Sequence, residues 1–180
     1  RVTFRGPDGA REERFFLNVA DFGIGGEVVR QVNERRLERK ASSYVRCLIS
    51  TMRQYKSKLV RIRVDGRDLI EGDYLIGAVA NGRIFGKGMK FAPQAKLNDG
   101  LFDLVLVKSM KFREFCLHGW KIFLGTHLSH PKISLVRARK VEAWPLEEQE
   151  VLIELDGEQL GTLPAGFEIL PGHLLVKGYV

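Results

Sequence analysis

The sequence predicts a mostly β, α+β domain, arranged as a two-layer antiparallel β-sandwich with two or three helices. Short segments in which apolar and polar residues alternate recur along the chain, as expected for half-buried strands. Turn-forming residues separate these segments, and apolar residues at helical spacing occur in only two or three places. With 180 residues, of which 44% are hydrophobic and 28% charged, residues 1–180 are expected to form a single domain.

The N-terminal residues predict a pair of strands. A Gly-Pro-Asp-Gly turn at residues 6–9 follows an apolar strand at Val2–Arg5. We expect the other arm to be the apolar run at residues 15–19.

Two helices are predicted next. A short one covers residues 26–36. A longer amphipathic helix is indicated by apolar residues at positions i, i+3, i+4 and i+7, with Ser42 or Ser43 available as its N-cap. These apolar residues are Val45, Leu48, Ile49 and Met52.

From residue 59 onward the hydrophobic period falls to two, which indicates strands. Val60, Ile62 and Val64 alternate with charged residues, and the following Asp65-Gly66 predicts a hairpin turn. Further strands are predicted at residues 74–80, 101–107, 134–139, 151–155, 167–170 and 174–176. A third helix, with Ser109 as its cap, has an apolar face formed by Phe112, Phe115, Cys116, Gly119, Trp120 and Phe123.

The net charge of +7 is concentrated in one part of the chain. Between Arg30 and Arg67 there are twelve basic and three acidic residues, so this stretch carries +9 and the rest of the chain −2. Such a stretch suits nucleic acid, an anionic membrane surface or an acidic partner domain, or it is a solvated surface that keeps the protein soluble. Nucleic-acid-binding proteins usually interleave aromatic residues with basic ones, and here only Tyr44 and Tyr55 are available. An anionic membrane is therefore favoured over nucleic acid.

The sequence also bounds the cellular setting. It contains no run of about eighteen apolar residues, so no membrane-spanning segment is predicted. Cys47 and Cys116 are too few for a disulfide framework, and we expect a reduced, cytoplasmic protein that is peripheral to the membrane. Because the chain starts at Arg1 and shows no signal peptide, we expect it to be a piece of a longer protein.

Two glycine-rich segments were considered as phosphate-binding sites. The segment at residues 82–88 lacks the spacing of a phosphate-binding P-loop and has glycine where Ser or Thr would hold magnesium. Gly25 and Gly26 lie between a predicted strand and a helix, where backbone amides can bind phosphate, although a plain turn is the alternative. The four histidines show no metal-ligand spacing, and no Gly-x-Ser-x-Gly motif of a serine hydrolase is present.

Two acidic turn motifs are the most specific features of the sequence: Ala92-Pro93-Gln94-Ala95-Lys96-Leu97-Asn98-Asp99-Gly100-Leu101 and Leu155-Asp156-Gly157-Glu158. A single Asp-Gly turn between strands is ordinary hairpin chemistry. Four further blocks accompany them, namely Phe16-Leu17-Asn18, Ala80-Asn81-Gly82, Gly86-Lys87-Gly88-Met89 and Gly125-Thr126-His127. In this order, the blocks resemble the C-terminal domain of lipid kinases of the diacylglycerol-kinase and sphingosine-kinase type. The Gly-Gly-Asp-Gly-Thr motif of that family's nucleotide-binding first domain is absent.

The resemblance implies a function and a set of site residues. Members of the family transfer the γ-phosphate of ATP to the hydroxyl of a lipid, such as diacylglycerol or a sphingoid base, with Mg²⁺. By resemblance, Asp156 is the general base and Glu158 lies near the magnesium-phosphate centre. Asp99 resembles a magnesium ligand, together with the backbone carbonyls of Lys96 and Leu101, and such oxygen ligands suit this ion.

The implied partners are the lipid at an anionic membrane surface and an N-terminal nucleotide-binding domain of the same parent chain. Without that domain, we expect the isolated chain to fold but to be inactive, because phosphoryl transfer depends on positioning the phosphates. The alternatives are a basic membrane- or nucleic-acid-binding module without catalysis, and a relative of NAD kinases. Whether the chain forms a homodimer is left open.

Overall fold

The computed structural model describes residues 1–34, 41–86 and 88–175 of the chain. The strands are β1 (Val2–Arg5), β2 (Arg11–Arg14), β3 (Val19–Gly23), β4 (Lys58–Val64), β5 (Asp68–Ala80), β6 (Phe102–Lys108), β7 (Ile133–Ala138), β8 (Lys140–Pro145), β9 (Leu152–Leu155) and β10 (Glu158–Glu168). The helices are α1 (Ile24–Glu34), α2 (Ala41–Gln54), α3 (Phe112–His118) and α4 (Lys121–Leu124), followed by a 3₁₀ turn at His127–Ser129.

The strands form one antiparallel sheet that closes on itself. Six of them follow each other around a ring in the order β10-β8-β4-β5-β3-β9, and β9 pairs again with β10. The β1–β2 hairpin is attached to β10, and the β6–β7 hairpin is attached to β5. The mostly β, α+β class is thus confirmed, but the arrangement is a six-stranded barrel with added strands rather than two separate layers.

Closure depends on two strands that are longer than predicted. The thirteen residues of β5 pair with β3, β4 and β6, and the eleven residues of β10 pair with β1, β8 and β9. Each strand continues beyond the end of one neighbour and so reaches another. The sequence predicted only residues 74–80 and 167–170 as strand in these regions.

Two apolar clusters hold the fold together. Alternate residues of the ring point inward, where Phe22, Ile62, Ile153 and Phe167 are fully buried. The second cluster lies outside the ring, where α1 packs against β3, β5, β9 and β10 and α2 packs against α1. Because successive side chains of a strand point to opposite faces, every second residue of β3 and β9 points outward and lies beneath α1.

Several predicted elements need correction. The hairpin arm after the turn at residues 6–9 is the polar strand β2, which pairs with β1, whereas Phe15 is exposed in a loop. Ser42 and Ser43 lie inside α2, and the N-cap of α3 is Lys111 rather than Ser109. Leu174 and Leu175 of the strand predicted at residues 174–176 are not in a strand, and Val176 lies outside the described residues. Strand β8 was not predicted.

In the described part of the basic stretch, several arginines are paired with acidic or aromatic residues on different elements. Arg61 pairs with Glu71 on the surface of β4, whereas the guanidinium of Arg63 lies over the ring of Trp144. Arg30 pairs with Glu27 on α1, and Arg53 covers the ring of Phe112. The predicted cluster also includes Arg35, Arg36, Arg39 and Lys40, which lie outside the described residues.

Within the described ranges, no helix combines the length and the apolarity needed to cross a membrane. Cys47 is buried and Cys116 is exposed, and both are free thiols.

Candidate functional site

The Asp-Gly-Glu motif forms the tight turn between β9 and β10. Asp156 and Gly157 both have positive φ values, 49° and 97°. This backbone conformation is strained for most residues but is accessible to Gly, Asn and Asp. The turn chemistry therefore explains Asp156-Gly157 without any catalytic role, so a function for Asp156 must rest on what its side chain contacts.

The carboxylate of Asp156 binds the loop that precedes β3. Its Oδ2 atom accepts a hydrogen bond from the backbone amide of Leu17 at 2.6 Å. Its Oδ1 atom accepts hydrogen bonds from the amides of Asn18 and Val19, each at 3.0 Å. A carboxylate offers about four acceptor positions, so three of the four are occupied by the protein itself. Asp156 thus anchors this loop.

The same loop is held on its other side by the turn that follows β5. The amides of Asn81 and Gly82 both donate to the carbonyl of Asn18 at 2.9 Å. The side chain of Asn81 donates to the carbonyl of Leu17, and that of Asn18 donates to the carbonyl of Ile84. Three of the blocks singled out in the sequence therefore meet. We call this region the site edge: residues 15–19, residues 81–84 and the turn at residues 156–158.

Glu158 occupies a different environment from Asp156. It is the first residue of β10 and is exposed at the site edge. Within the part of the chain that the structure describes, its carboxylate has no hydrogen bond or ion pair. Of the two acidic residues in the turn, Glu158 is the one whose oxygens remain free to accept a proton.

A buried pair of acidic residues lies beneath the turn. Asp21 of β3 and Glu154 of β9 are direct cross-strand neighbours, and both are fully buried under α1. The carboxylate of Glu154 accepts a hydrogen bond from the amide of Gly157, whereas neither oxygen of Asp21 has a hydrogen-bond partner among the described residues. Glu154 therefore ties the turn to the layer between the barrel and α1.

Burial and the neighbouring Glu154 raise the pKa of Asp21 well above its ordinary value. Burial also raises the pKa of Glu154, although the contact with Asp21 acts in the opposite direction. We therefore assign the proton of this pair to Asp21. Tyr55, which directly follows α2, is affected too, since burial raises the pKa of its phenol.

Gly25 and Gly26, the predicted phosphate-binding residues, are buried in the first turn of α1. A Cβ atom on Gly25 would collide with the carboxylate of Asp21, and one on Gly26 would lie 2.7 Å from Cβ of Leu152. The glycines let α1 approach the barrel closely. The acidic group found next to this helix start is the protein's own Asp21.

Asp99, the predicted magnesium ligand, is already paired with a cation. The guanidinium of Arg137 on β7 bonds to Oδ2 of Asp99 and also lies 3.3 Å from Oδ1 of Asp103. The remaining oxygen of Asp99 accepts a hydrogen bond from the amide of Leu101 at 3.1 Å. Burial raises the pKa of Asp103, and Arg137 opposes that effect.

This arrangement does not fit a magnesium ion at Asp99, because a guanidinium holds the oxygen that such an ion would need. The described ranges also contain no cluster of three or more His, Cys, Asp or Glu residues that could hold a metal ion. No catalytic step is therefore assigned to a metal at this position.

A large apolar cavity lies beside the site edge. It has a volume of about 480 Å³ and separates α2 from the α3–α4 segment over the outer face of β5 and β6. Leu48 and Met52 line one wall, Phe115 and Ile122 the opposite wall, and Phe91 one end. The volume lies within the range of about 300–1,000 Å³ typical of ligand sites. Its lining is almost entirely aliphatic and aromatic, so it suits a hydrocarbon chain.

His127 is one of the few polar side chains in this cavity. Its Nε2 atom lies 3.0 Å from the carbonyl of Phe91, and its Nδ1 atom has no partner among the described residues. Burial lowers the pKa of His127, so the imidazole is neutral at pH 7. A neutral ring adds no charge to the apolar space.

Sequence reasoning missed Arg137, the Asp21–Glu154 pair and the cavity. The buried pair did leave a signal, since each acidic residue lies within an otherwise apolar strand. The cavity left none, because its walls come from segments that are far apart in the sequence.

The fold and these motifs define a class of protein: a C-terminal β domain of the kind found in diacylglycerol-kinase-like lipid kinases. A family model described as the YegS C-terminal NAD kinase beta sandwich-like domain matches residues 18–178. The chain belongs to this family.

Individual relatives agree with this assignment. A diacylglycerol kinase of Bacillus subtilis is 32% identical over 117 residues, which are 65% of this chain and 38% of that protein. One from Staphylococcus carnosus is 27% identical over 173 residues, covering 93% of this chain and 54% of the relative. A crystal structure from Bacillus anthracis matches with a TM-score of 0.60 and 26% identity, covering 96% of this chain and 53% of that one. The relatives that match most of this chain are longer proteins, and the chain spans about half of their length.

Proposed function

We propose that this chain is the lipid-binding half of an ATP-dependent kinase that phosphorylates the hydroxyl of diacylglycerol or a similar lipid. The observation that carries the proposal is the apolar cavity beside the site edge. Phe85 and Phe91 line this cavity, and Phe85 directly follows Ile84 of the site edge. A hydrocarbon chain held in the cavity would lie next to residues 81–84 of the site edge, and in this proposal its polar end extends from there towards the acidic turn. The family relationship to diacylglycerol kinases supports the same substrate class.

Within this proposal, the two acidic residues of the turn have different roles. Asp156 positions the loop at residues 17–19, since three backbone amides occupy its carboxylate. Glu158 is exposed and free, so we assign it the role of accepting the proton of the lipid hydroxyl. A positioned carboxylate in this role typically contributes about 10²–10⁴-fold in rate. This assignment moves the base from Asp156, which the resemblance implied, to its neighbour.

The nucleotide is proposed to bind between the site edge and a second domain. Phe15, Leu17 and Ile84 are large apolar residues that are exposed at this edge. Exposed apolar residues that cluster next to candidate functional residues are typical of an interaction surface. An N-terminal nucleotide-binding domain would cover them and supply the phosphate contacts that the buried Gly25 and Gly26 do not offer. Magnesium would accompany ATP as its usual counterion.

The test is binding of a fluorescent long-chain diacylglycerol analogue to the 180-residue chain. Met89→Trp adds volume at a residue that lines the cavity, so it should weaken binding about tenfold or more. Leu69→Trp, at an exposed position on β5, is the matched control and should bind as the parent does. Equal binding by the parent and the Met89→Trp variant would show that the cavity does not hold the lipid.

A further inference from the structure

We propose that the α3–α4 segment docks this domain onto an anionic lipid bilayer, an inference that rests on the proposed lipid kinase function. Four large apolar side chains of this segment are exposed: Leu117 by 67%, Trp120 by 56%, Phe123 by 45% and Leu124 by 59%. Monomeric soluble proteins seldom expose apolar side chains in such a concentration unless they form an interaction site.

The backbone places these residues on a common surface. Gly119 and Trp120, which connect α3 to α4, both have right-handed helical dihedral angles, so the chain continues helically from Phe112 to Leu124. Leu117, Trp120 and Leu124 are spaced by three and four residues and therefore lie on one side of this segment. The opposite side, with Phe115 and Ile122, lines the cavity. The segment is thus apolar towards both the protein and the solvent.

The charges around this surface match an anionic membrane. Residues 108–125 contain four basic residues, Lys108, Lys111, Arg113 and Lys121, and a single acidic residue, Glu114. Glu114 is neutralised by Lys132, whose Nζ atom lies 2.6 Å from its carboxylate. Each basic residue near an anionic leaflet contributes on the order of 1 kcal/mol. A tryptophan with an exposed ring is also typical of the membrane interface.

The same surface forms the rim of the cavity. Val45 and Ile49 of α2 line the cavity and are also exposed to solvent. Trp120 and Phe123 of the α3–α4 segment likewise line the cavity and are exposed. An apolar rim immersed in a bilayer would let a hydrocarbon chain pass from the membrane into the cavity without crossing water. Docking at this rim explains why the hydrophobic side chains around the opening face outward.

The test uses the 180-residue chain with the substitution Trp144→Phe, which leaves Trp120 as the only indole. Phosphatidylcholine vesicles with or without phosphatidylglycerol are added in the absence of nucleotide. We expect a blue shift of Trp120 emission with the anionic vesicles, reduced by high salt. The double variant Leu117→Ala/Leu124→Ala should bind these vesicles about tenfold or more weakly, because it removes apolar area from the docking surface. Leu69→Ala, which truncates an exposed apolar residue on β5, away from this segment in the sequence, should leave vesicle affinity unchanged.

Unchanged Trp120 emission at saturating anionic vesicle concentration would overturn the proposal, as would equal vesicle affinity of the double variant and its parent. A blue shift that depends on protein concentration without vesicles would assign this surface to a second copy of the chain instead. Because the measurement involves no phosphoryl transfer, it is separate from the kinase assignment. A domain that docks on vesicles while its parent fails to phosphorylate lipid would refute the proposed function alone.

Discussion

Val19 and Asp156 are joined by two reciprocal hydrogen bonds. The amide of Val19 donates to Oδ1 of Asp156 at 3.0 Å, and the amide of Asp156 donates to the carbonyl of Val19 at 3.0 Å. This pair connects the start of β3 to the turn between β9 and β10. It fixes the turn that carries Glu158 relative to the loop at residues 15–19.

The first prediction concerns Asp156→Asn. The amide side chain keeps one acceptor oxygen, but its NH₂ group would face the donating amide of Leu17. We expect a loss of about 1–3 kcal/mol in the free energy of unfolding, the usual cost of an unsatisfied polar group. Thermal unfolding of the variant and its parent measures this loss.

Asp65→Asn is the matched control. Asp65 also has a positive φ at a hairpin turn, but among the described residues only its Oδ1 atom accepts hydrogen bonds, from the amides of Arg139 and Lys140. Asparagine retains this acceptor, so the control should unfold close to the parent temperature. Equal destabilisation of both variants would argue against the anchoring role of Asp156.

The second prediction concerns the buried pair. The raised pKa of Asp21 means that the folded state holds a proton that the unfolded state loses at lower pH. The folded state is therefore favoured at low pH, and stability falls as pH rises from the unfolded pKa of about 4 through the raised folded pKa. Asp21→Asn removes this ionisation and places an amide donor beside Glu154. We expect the variant to be more stable at pH 7, with a melting temperature higher by about 2–4 °C for each kcal/mol gained.

The pH dependence is the check on this prediction. The advantage of Asp21→Asn over its parent should shrink as pH approaches 4, because the raised pKa keeps Asp21 protonated and uncharged in the folded parent there. If the melting temperature of Asp21→Asn lies below that of its parent by the same amount at every pH from 5 to 8, Asp21 is not protonated in the folded state.

The third prediction concerns Arg137. Because its guanidinium holds Asp99, millimolar magnesium should raise the melting temperature of the parent no more than potassium at equal ionic strength does. Arg137→Met removes this cation and leaves Asp99 and Asp103 without it, so magnesium should now stabilise the protein by preferential binding to the folded state. The double variant Arg137→Met/Asp99→Asn should lose this effect. A magnesium-specific rise in the parent that Asp99→Asn abolishes would instead restore the magnesium site that the resemblance implied.

The sequence predicted those elements whose periodicity is uninterrupted. The alternation in β4 and the helical spacing in α2 each identified an element correctly. In contrast, β10 contains Gly161 and Pro164, residues that are disfavoured in strands, and only its end was predicted. Ring closure could not be foreseen, since it depends on how far β5 and β10 extend beyond their neighbours.

The candidate site was predictable only as far as it depends on local sequence. Local turn chemistry and motif order led to Asp156, Glu158 and Asp99. Which carboxylates are free is a property of the tertiary structure, because Leu17 and Arg137 reach these groups from other parts of the chain. The sequence therefore located the acidic residues without distinguishing the anchor from the free carboxylate.

The central claim is tested most directly by phosphoryl transfer. The chain should be expressed with the proposed N-terminal nucleotide-binding domain, and transfer of labelled γ-phosphate from ATP to diacylglycerol measured. The account predicts transfer by the parent and a loss of roughly a hundredfold or more in turnover for Glu158→Gln, with an unchanged melting temperature. Full activity of Glu158→Gln would contradict the assignment of the base, and absence of ATP-dependent phosphorylation of diacylglycerol and related lipid alcohols would contradict the function itself.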